Sequence, residues 1–132
     1  MLAARAIAPA LAVGNAVVLK PDPRTAVCGG IAFARLLEQA GLPRDVFHVL
    51  PGGADIGREL VTHPDVPVIA FTGSVTASKE VAQLAAGLLK RVHLELGGNS
   101  ALVVLEDADV EQAVQAGSFG SRTRQGSRNS GR

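Results

Sequence analysis

The chain has 132 residues, 47% of them hydrophobic, with one cysteine, a formal net charge of +1, and four Phe as its only aromatic residues. This length allows one domain with a core of aliphatic side chains, and the hydrophobic content excludes an intrinsically disordered chain. The near-neutral charge argues against a nucleic-acid partner, and no apolar run is long enough to predict a membrane span. The single cysteine excludes an internal disulfide and fits a cytoplasmic location.

The chain opens with an alanine-rich apolar run, MLAARAIAP. It is too short for a signal peptide and lacks a processing site, so we expect the end of a helix that begins upstream in a longer parent. Five short β-rich runs follow, each of strand length and bounded by glycine or proline. They cover residues 17–19, 46–50, 66–71, 92–96 and 101–105.

Helical patterns separate these runs. The clearest covers residues 25–40, with Thr25 as a candidate N-cap and Gly41 as a stop signal. Residues 54–62 form a shorter helix, and residues 74–89 form one that begins at Ser74. Residues 109–117 open with acidic side chains, which favour a helix N-terminus.

The alternation of strands and helices predicts an α/β fold, with an open parallel Rossmann-type sheet and helices on both faces. Ligands of such sheets bind at the carboxyl ends of the strands. Glycines and polar residues collect at these predicted ends, which indicates a ligand site there. They are Lys20, Gly52, Gly53, Gly73, Ser74, Glu95 and Gly97.

One candidate phosphate-binding segment lies at a predicted strand end, although the dinucleotide fingerprint GxGxxG is absent. In Phe71-Thr72-Gly73-Ser74 the chain passes from strand to helix. Backbone N–H groups and the Ser74 hydroxyl could meet a diphosphate at the positive end of that helix. An ordinary turn with a serine cap explains the same residues, so both interpretations stay open.

Glu95 is the most unusual residue, because it is a carboxylate in an apolar run directly before two glycines. Burial in such a strand would disfavour its charged form and suit it to general-base chemistry. The alternative is a glutamate at the edge of the sheet that faces solvent or accepts from backbone N–H groups.

As a set, these segments resemble aldehyde dehydrogenases, in the family's order and at its spacing. The matching stretches are PALAVGNAVVLKP (9–21), GLP (41–43), FTGS (71–74), LELGG (94–98) and DAD (107–109). The resemblance extends from residue 9 to about residue 120. PDPRT (21–25) and NSA (99–101) resemble the benzaldehyde dehydrogenase branch more closely.

The resemblance implies a thiohemiacetal mechanism, in which a cysteine attacks the aldehyde, hydride passes to NAD or NADP, and a glutamate activates water. Glu95 matches that glutamate, and Lys20 matches the lysine that contacts the adenosine ribose. Gly73 and Ser74 match the diphosphate region, and Gly97 lines the nicotinamide side. The further cofactor-binding residues expected are Gly57, Phe71, Thr72 and Leu96. Residues 1–96 would form an NAD(P)-binding domain, incomplete at its N-terminus, and residues 97–117 the start of a catalytic domain.

Two departures from the family pattern concern the cofactor. Ser78 aligns with the second glycine of the family's phosphate loop. The acid that usually holds the ribose hydroxyls aligns with Pro23, while Lys20 is retained. Loss of an acid there should relax discrimination against NADP, although Asp22 is close enough in sequence to replace it in part.

A third departure concerns the nucleophile. Gln125-Gly126 matches the family dipeptide before the catalytic cysteine, and counting onward places Asn129 at the cysteine position. Asparagine cannot form a thiohemiacetal. The family's oxyanion asparagine would precede Met1. We therefore expect the isolated chain to be inactive, and its last segment, residues 118–132, to be disordered because it has one large apolar residue.

Other functions remain open at this point. The chain could be a noncatalytic nucleotide-binding or interaction module, or a nonfunctional gene remnant. A related reductase of acyl phosphates would not explain a water-activating Glu95. The spacing of the three histidines matches no metal site, and Cys28 is interpreted as a small core residue. The expected partner is a small-molecule aldehyde in a homo-oligomeric parent, with neither nucleic acid nor membrane.

Overall fold

The computed structural model describes residues 2–97 and 101–123 of the chain. Helices and strands alternate along most of this length. In chain order they are α1 (Leu2–Ala12), β1 (Val17–Leu19), a 3-10 turn (Pro23–Thr25), a π-helical segment (Val27–Ile31), α2 (Ala32–Gln39), β2 (Phe47–Val49), α3 (Ala54–Thr62), β3 (Val68–Gly73), α4 (Val75–Ala86), β4 (Arg91–Leu96) and α5 (Val110–Thr123).

The strands pair in parallel, which confirms the predicted α/β class. β1 pairs with β2, with Val17 opposite Phe47, and β3 pairs with β4 along all six residues. Helices form the crossover within each pair, as parallel pairing requires. Within residues 2–97 and 101–123 the strands form two two-stranded sheets rather than one continuous sheet. β1 and β2 are each three residues long, so few backbone groups at their edges can hydrogen-bond to a further strand.

The first crossover differs from the single helix predicted for residues 25–40. It consists of the 3-10 turn, the π-helical segment and α2, and Thr25 lies inside the turn while Asp22 caps it. Glycine has a low helix propensity, and Gly29-Gly30 lies in the π-helical segment. The stop signal is confirmed, since α2 ends at Gln39 and Gly41 has a φ of +87°.

The main core lies between α3, α4 and the β3–β4 sheet. Val61, Ile69 and Ala85 are buried there. Partly buried side chains surround them: Val66, Phe71, Val81, Leu84 and Val92. α3 also packs against α4, and Arg58 Nε of α3 donates to Glu80 Oε1 of α4.

Two helices begin where the sequence predicts. The helix predicted for residues 54–62 matches α3 residue for residue. Ser74 is the N-cap of α4, with extended backbone angles and its Oγ accepting from the Ala77 N–H at 3.2 Å. The carboxyl end of β3 therefore leads straight into a capped helix.

The C-terminal part of the chain departs from expectation. Residues 101–105 form no strand with any described residue, and Leu102, Val103, Val104 and Leu105 are 50–76% exposed. The disordered tail expected for residues 118–132 is wrong at 118–123, where α5 continues to Thr123. Asp109 caps α5 by accepting from the Gln112 N–H at 3.0 Å, and extending a started helix costs less than nucleating one. Gln125, Gly126 and Asn129 lie outside the described residues.

Exposure contradicts the expectation that Cys28 is a core residue. Cys28 is exposed rather than in the core, because the π-helical segment turns Gly30 inward in its place. Among residues 2–97 and 101–123, no helix is long and apolar enough to cross a membrane. The same residues contain no group of three or more metal-ligating side chains.

Candidate functional site

The carboxyl ends of β3 and β4 bring most of the predicted site residues together. Parallel pairing sets Thr72 opposite Glu95 and Gly73 opposite Leu96. Ser74 and Gly97 follow directly on these two strands. Segments 71–74 and 95–97, which are 21 or more residues apart in sequence, therefore form one edge of the molecule.

The N-terminus of α4 presents unpaired donors at this edge. Ser74 satisfies the Ala77 N–H, but the N–H groups of Val75 and Thr76 donate to no atom of the described residues. The first N–H groups of a helix have no partner within the helix and lie at its positive end. Two such amides on a 12-residue helix suit an anionic group.

Gly73 lets the Phe71 ring lie directly against the backbone at the end of β3. A Cβ at position 73 would lie 2.6 Å from two ring carbons of Phe71, closer than side chains pack. The Phe71 ring in turn packs against the core around Ile69. Any larger residue at position 73 would have to displace a ring that supports the sheet.

Glu95 is accessible rather than buried. Its side chain is 48% exposed, and its Oε1 lies 3.1 Å from His93 Nε2. Of the two interpretations of Glu95 that the sequence left open, the side chain that faces solvent is the one observed, because side chains alternate along a strand and Val92 and Leu94 take the core-facing positions. In the sequence, the alternation of apolar and polar residues in VHLEL (92–96) indicates that Glu95 faces away from the core. An accessible carboxylate beside an imidazole can accept a proton from water.

The carboxyl end of β1 carries a second group of predicted residues. Lys20 is half-buried, and its Cδ lies 3.7 Å from the position of a Cβ at Gly57. The aliphatic stem of Lys20 therefore lies next to α3, where a Cβ at position 57 would make ordinary van der Waals contact with it. Gly57 lies on α3, and α3 packs on α4. Lys20 is therefore connected through α3 to the helix that begins after Ser74.

Arg24, which was not predicted from the sequence as a site residue, forms an ion pair with Asp22 next to Lys20. Asp22 Oδ1 accepts from the Arg24 backbone N–H at 2.9 Å and from Nε at 3.0 Å, and Oδ2 accepts from Nη2 at 2.9 Å. The hydrogen bonds from the Arg24 side chain and then from its amide lower the pKa of Asp22 to about 2, with a smaller effect of the Lys20 charge. Both oxygens of the acid therefore accept from Arg24, and the carboxylate remains half-exposed. The sequence signal for this ion pair is the spacing Asp-Pro-Arg, which places the two opposite charges two residues apart.

Ser78 sits in the first half of α4 and is 1% exposed. Its Oγ has no hydrogen-bond partner in the part of the chain that the structure describes. A buried hydroxyl without a partner destabilises the fold by its desolvation. A glycine at this position, as in the family pattern, would avoid that cost.

These groups fit the chemistry of a dinucleotide. Free amides at a helix N-terminus match a diphosphate, and a lysine at a neighbouring strand end matches a charged or hydroxylated ribose. An accessible carboxylate lies at the adjoining strand end. The described residues therefore combine an α/β fold with unpaired helix amides and an accessible carboxylate at one edge of a parallel sheet.

The chain belongs to the aldehyde dehydrogenase family, whose family model matches residues 1–130. It is 62% identical over 126 residues to a vanillin dehydrogenase of an Amycolatopsis species, covering 96% of this chain and 26% of that protein. It is 49% identical over 125 residues to "Benzaldehyde dehydrogenase [NAD(+)]" of Pseudomonas putida, covering 95% of this chain and 26% of that protein.

A solved structure has a similar fold. The crystal structure of a NAD-dependent benzaldehyde dehydrogenase from Corynebacterium glutamicum matches 95% of this chain and 27% of its own, with a TM-score of 0.82 and 48% identity. The predicted family resemblance is thus confirmed. The chain spans about a quarter of the length of the curated relatives it matches.

Proposed function

We propose that this chain is the cofactor-binding part of an NAD(P)-dependent aldehyde dehydrogenase, which oxidises an aldehyde to a carboxylic acid. Alone, it binds the dinucleotide and leaves the aldehyde unchanged. One observation carries the proposal: the free amides of Val75 and Thr76 lie at the same sheet edge as Glu95. Anion binding and base chemistry thus meet at adjoining strand ends.

Each part of the dinucleotide has a set of residues in this proposal. The diphosphate lies on the α4 N-terminus at Gly73 and Ser74, below Phe71 and Thr72. The adenosine ribose lies against Lys20 and Gly57, and the nicotinamide side against Leu96 and Gly97. When bound, NAD(P) supplies the hydride acceptor.

Glu95 acts as the base that takes a proton from water in the parent enzyme. His93 Nε2, 3.1 Å from Oε1, orients the carboxylate toward the open face of β4. Half of the side chain is accessible, so water reaches it without a conformational change.

The proposal expects no turnover by the chain alone. Its single thiol, Cys28, lies in the crossover between β1 and β2. The position that matches the family nucleophile is Asn129. An aromatic aldehyde as substrate of the parent is supported by the names of the vanillin and benzaldehyde dehydrogenases.

We also propose a location, an oligomeric state and domain boundaries for the parent enzyme. We place it in the cytoplasm, which the single cysteine supports, and we expect it to be a homo-oligomer. Residues 1–96 are assigned to the NAD(P)-binding domain and residues 97–117 to the start of the catalytic domain.

Calorimetric titration of the 132-residue chain with NAD+ and NADP+ tests the proposal. Val75→Pro removes one free N–H at the first residue of α4, where proline suits the helix. Ser74 already has the extended angles (φ −70°, ψ 155°) that a residue before proline requires. We expect cofactor affinity to fall about tenfold, the order of one hydrogen bond to a charged group.

Val110→Pro is the matched control, since it makes the same substitution at the first residue of a different helix, α5. It should leave affinity unchanged. Heat of dilution alone with both cofactors would refute cofactor binding by this chain. Aldehyde-dependent NAD(P)H formation, followed by absorbance, would contradict the expected lack of turnover.

A further inference from the structure

The segment ALVVL (101–105) has the composition of a strand but pairs with no strand among the described residues. All of its side chains are aliphatic, and its length is typical of a strand. Four of its residues are at least half exposed: Leu102, Val103, Val104 and Leu105. We call this segment the free run. An exposed apolar segment of this kind favours pairing with the edge of a sheet.

β4 is the sheet edge that suits the free run best. It has six residues, pairs with β3 on one side, and has no partner among the described residues on the other. β1 and β2 have three residues each and are shorter than the run. The free edge of β3 follows Asp65 and Pro67, an acid and a residue with no N–H group to donate. β4 is therefore the longest edge without an adjoining proline.

The charges that flank the free run and β4 are complementary when the two strands run antiparallel. Lys90 and Arg91 lie at the amino end of β4, and Glu106 and Asp107 follow the free run directly. Antiparallel pairing sets the end of one strand beside the start of the other, so the acids meet the bases. In parallel pairing the same acids would lie at the Glu95 end of β4, where like charges repel each other.

One antiparallel register satisfies both the charges and the apolar side chains. With Glu106 opposite Arg91, Val103 lies opposite Leu94, which faces the core, and Leu105 follows on the same face. These two residues are the most exposed of the run, at 76% and 67%. The added strand would therefore extend the apolar face of the β3–β4 sheet and cover the run where it is most exposed.

The free run does not lie on the β4 edge of its own chain. It leads into α5, and Leu102 Cδ2 lies 3.1 Å from the position of a Cβ at Gly117 of that helix. The β4 edge is therefore open to the run of a second molecule.

We propose that two copies of this chain form a dimer in which the free run of each copy adds an antiparallel strand to β4 of the other. Each copy supplies one run and one edge, so the contact has two-fold symmetry and closes. The dimer goes beyond the proposed function and does not depend on cofactor binding.

Sedimentation velocity over a concentration series at low ionic strength tests the dimer on the 132-residue chain. We expect a monomer–dimer equilibrium. Arg91→Glu and Glu106→Arg should each weaken the dimer about tenfold, because an attractive pair of exposed charges becomes a repulsive pair at both contacts. Both effects should shrink as salt is raised.

An equimolar mixture of these two variants gives the sharpest test. Each contact between one variant and the other again places an acid opposite a base, so mixed dimers should form as tightly as dimers of the unaltered chain. Arg44→Glu is the matched control, since it makes the same charge change at an exposed residue before β2. It should leave dimerisation unchanged.

Three outcomes would overturn the proposed dimer. The first is a chain that stays monomeric at every concentration, as it would if the free run folded back onto β4 of its own chain. The second is an equal effect of Arg91→Glu and Arg44→Glu, and the third is a mixture that associates no better than either variant alone. Each of them leaves the proposed function standing, because no cofactor is present in these samples.

Discussion

Two serines four residues apart on α4 show opposite uses of a hydroxyl. Ser74 Oγ accepts from the Ala77 N–H and starts the helix. Ser78 Oγ is buried and has no partner among the described residues. The first hydroxyl stabilises α4, and the second costs stability, because a buried polar atom without a hydrogen bond has lost its water.

Substituting each serine by alanine should therefore shift stability in opposite directions. Ser78→Ala should raise the free energy of unfolding by about 1 kcal/mol, since it removes the unpaired hydroxyl. Ser74→Ala should lower it by about 1 kcal/mol, the usual loss on removing an N-cap. Urea denaturation followed by circular dichroism measures both, and a stability loss in Ser78→Ala would show that this hydroxyl has a partner.

Asp22 provides a test at the same scale by titration. Its pKa is lowered from 3.8 to about 2, so the contact with Arg24 favours the folded state above about pH 3.8 and is lost as the pH falls toward 2. NMR titration of the Asp22 carboxyl carbon should give the low midpoint. In Arg24→Ala the midpoint should return toward 3.8, and a midpoint that stays low would mean that another group holds the carboxylate.

Among the secondary-structure elements, the π-helical segment depends on close packing at Gly30. A Cβ at position 30 would lie 3.0 Å from Pro21 Cγ and 3.1 Å from Val49 Cγ1, whereas one at Gly29 would meet nothing closer than 3.5 Å. Gly30 therefore lets the crossover lie against the ends of β1 and β2.

Gly30→Ala should destabilise the chain by roughly 1–3 kcal/mol, the usual cost of forcing extra volume into a packed site. Gly29→Ala is the control on the same turn and should be neutral or stabilising by up to about 1 kcal/mol, since alanine favours helix. Thermal unfolding of the two variants compares them directly. Equal effects would indicate that backbone preference rather than packing decides both positions.

How well an element could be predicted depended on whether its signals were local. α3 and the start of α4 followed from apolar spacing and from the Ser74 cap, which act within a few residues. The break in the first crossover could not be found this way, because it depends on contacts of Gly30 with residues distant in sequence. The run at 101–105 has strand composition but no strand partner among the described residues.

In the whole molecule, much apolar surface is exposed. Among the residues that the structure describes, four hydrophobic ones are buried, while Leu102, Val103, Val104 and Leu105 are exposed in succession and Val110 and Val114 follow on α5. Exposed apolar side chains in this number favour association, and a run rich in β-branched residues favours strand pairing. The low net charge offers little repulsion against it.

We expect the chain to self-associate with increasing concentration, and Val103→Lys to weaken this association about tenfold, on the scale of burying one valine. Val13→Lys is matched in charge and exposure, since Val13 is 78% and Val103 76% exposed, but it lies beyond the end of α1. Sedimentation velocity over a concentration series distinguishes the two. Equal effects of the two variants would show that charge, not the apolar run, controls association.

Sequence alone determined the α/β class, the parallel pairing and the family, because these depend on local periodicity and on motifs whose order survives without coordinates. It also placed Lys20, Ser74 and Glu95 at strand ends. Tertiary structure decided the surroundings of the residues in and near the site. It exposes Glu95 beside His93, pairs both oxygens of Asp22 with Arg24, and buries the hydroxyl of Ser78. The physical reason is that exposure and hydrogen bonding depend on which face of an element packs, and that choice is made by the molecule as a whole.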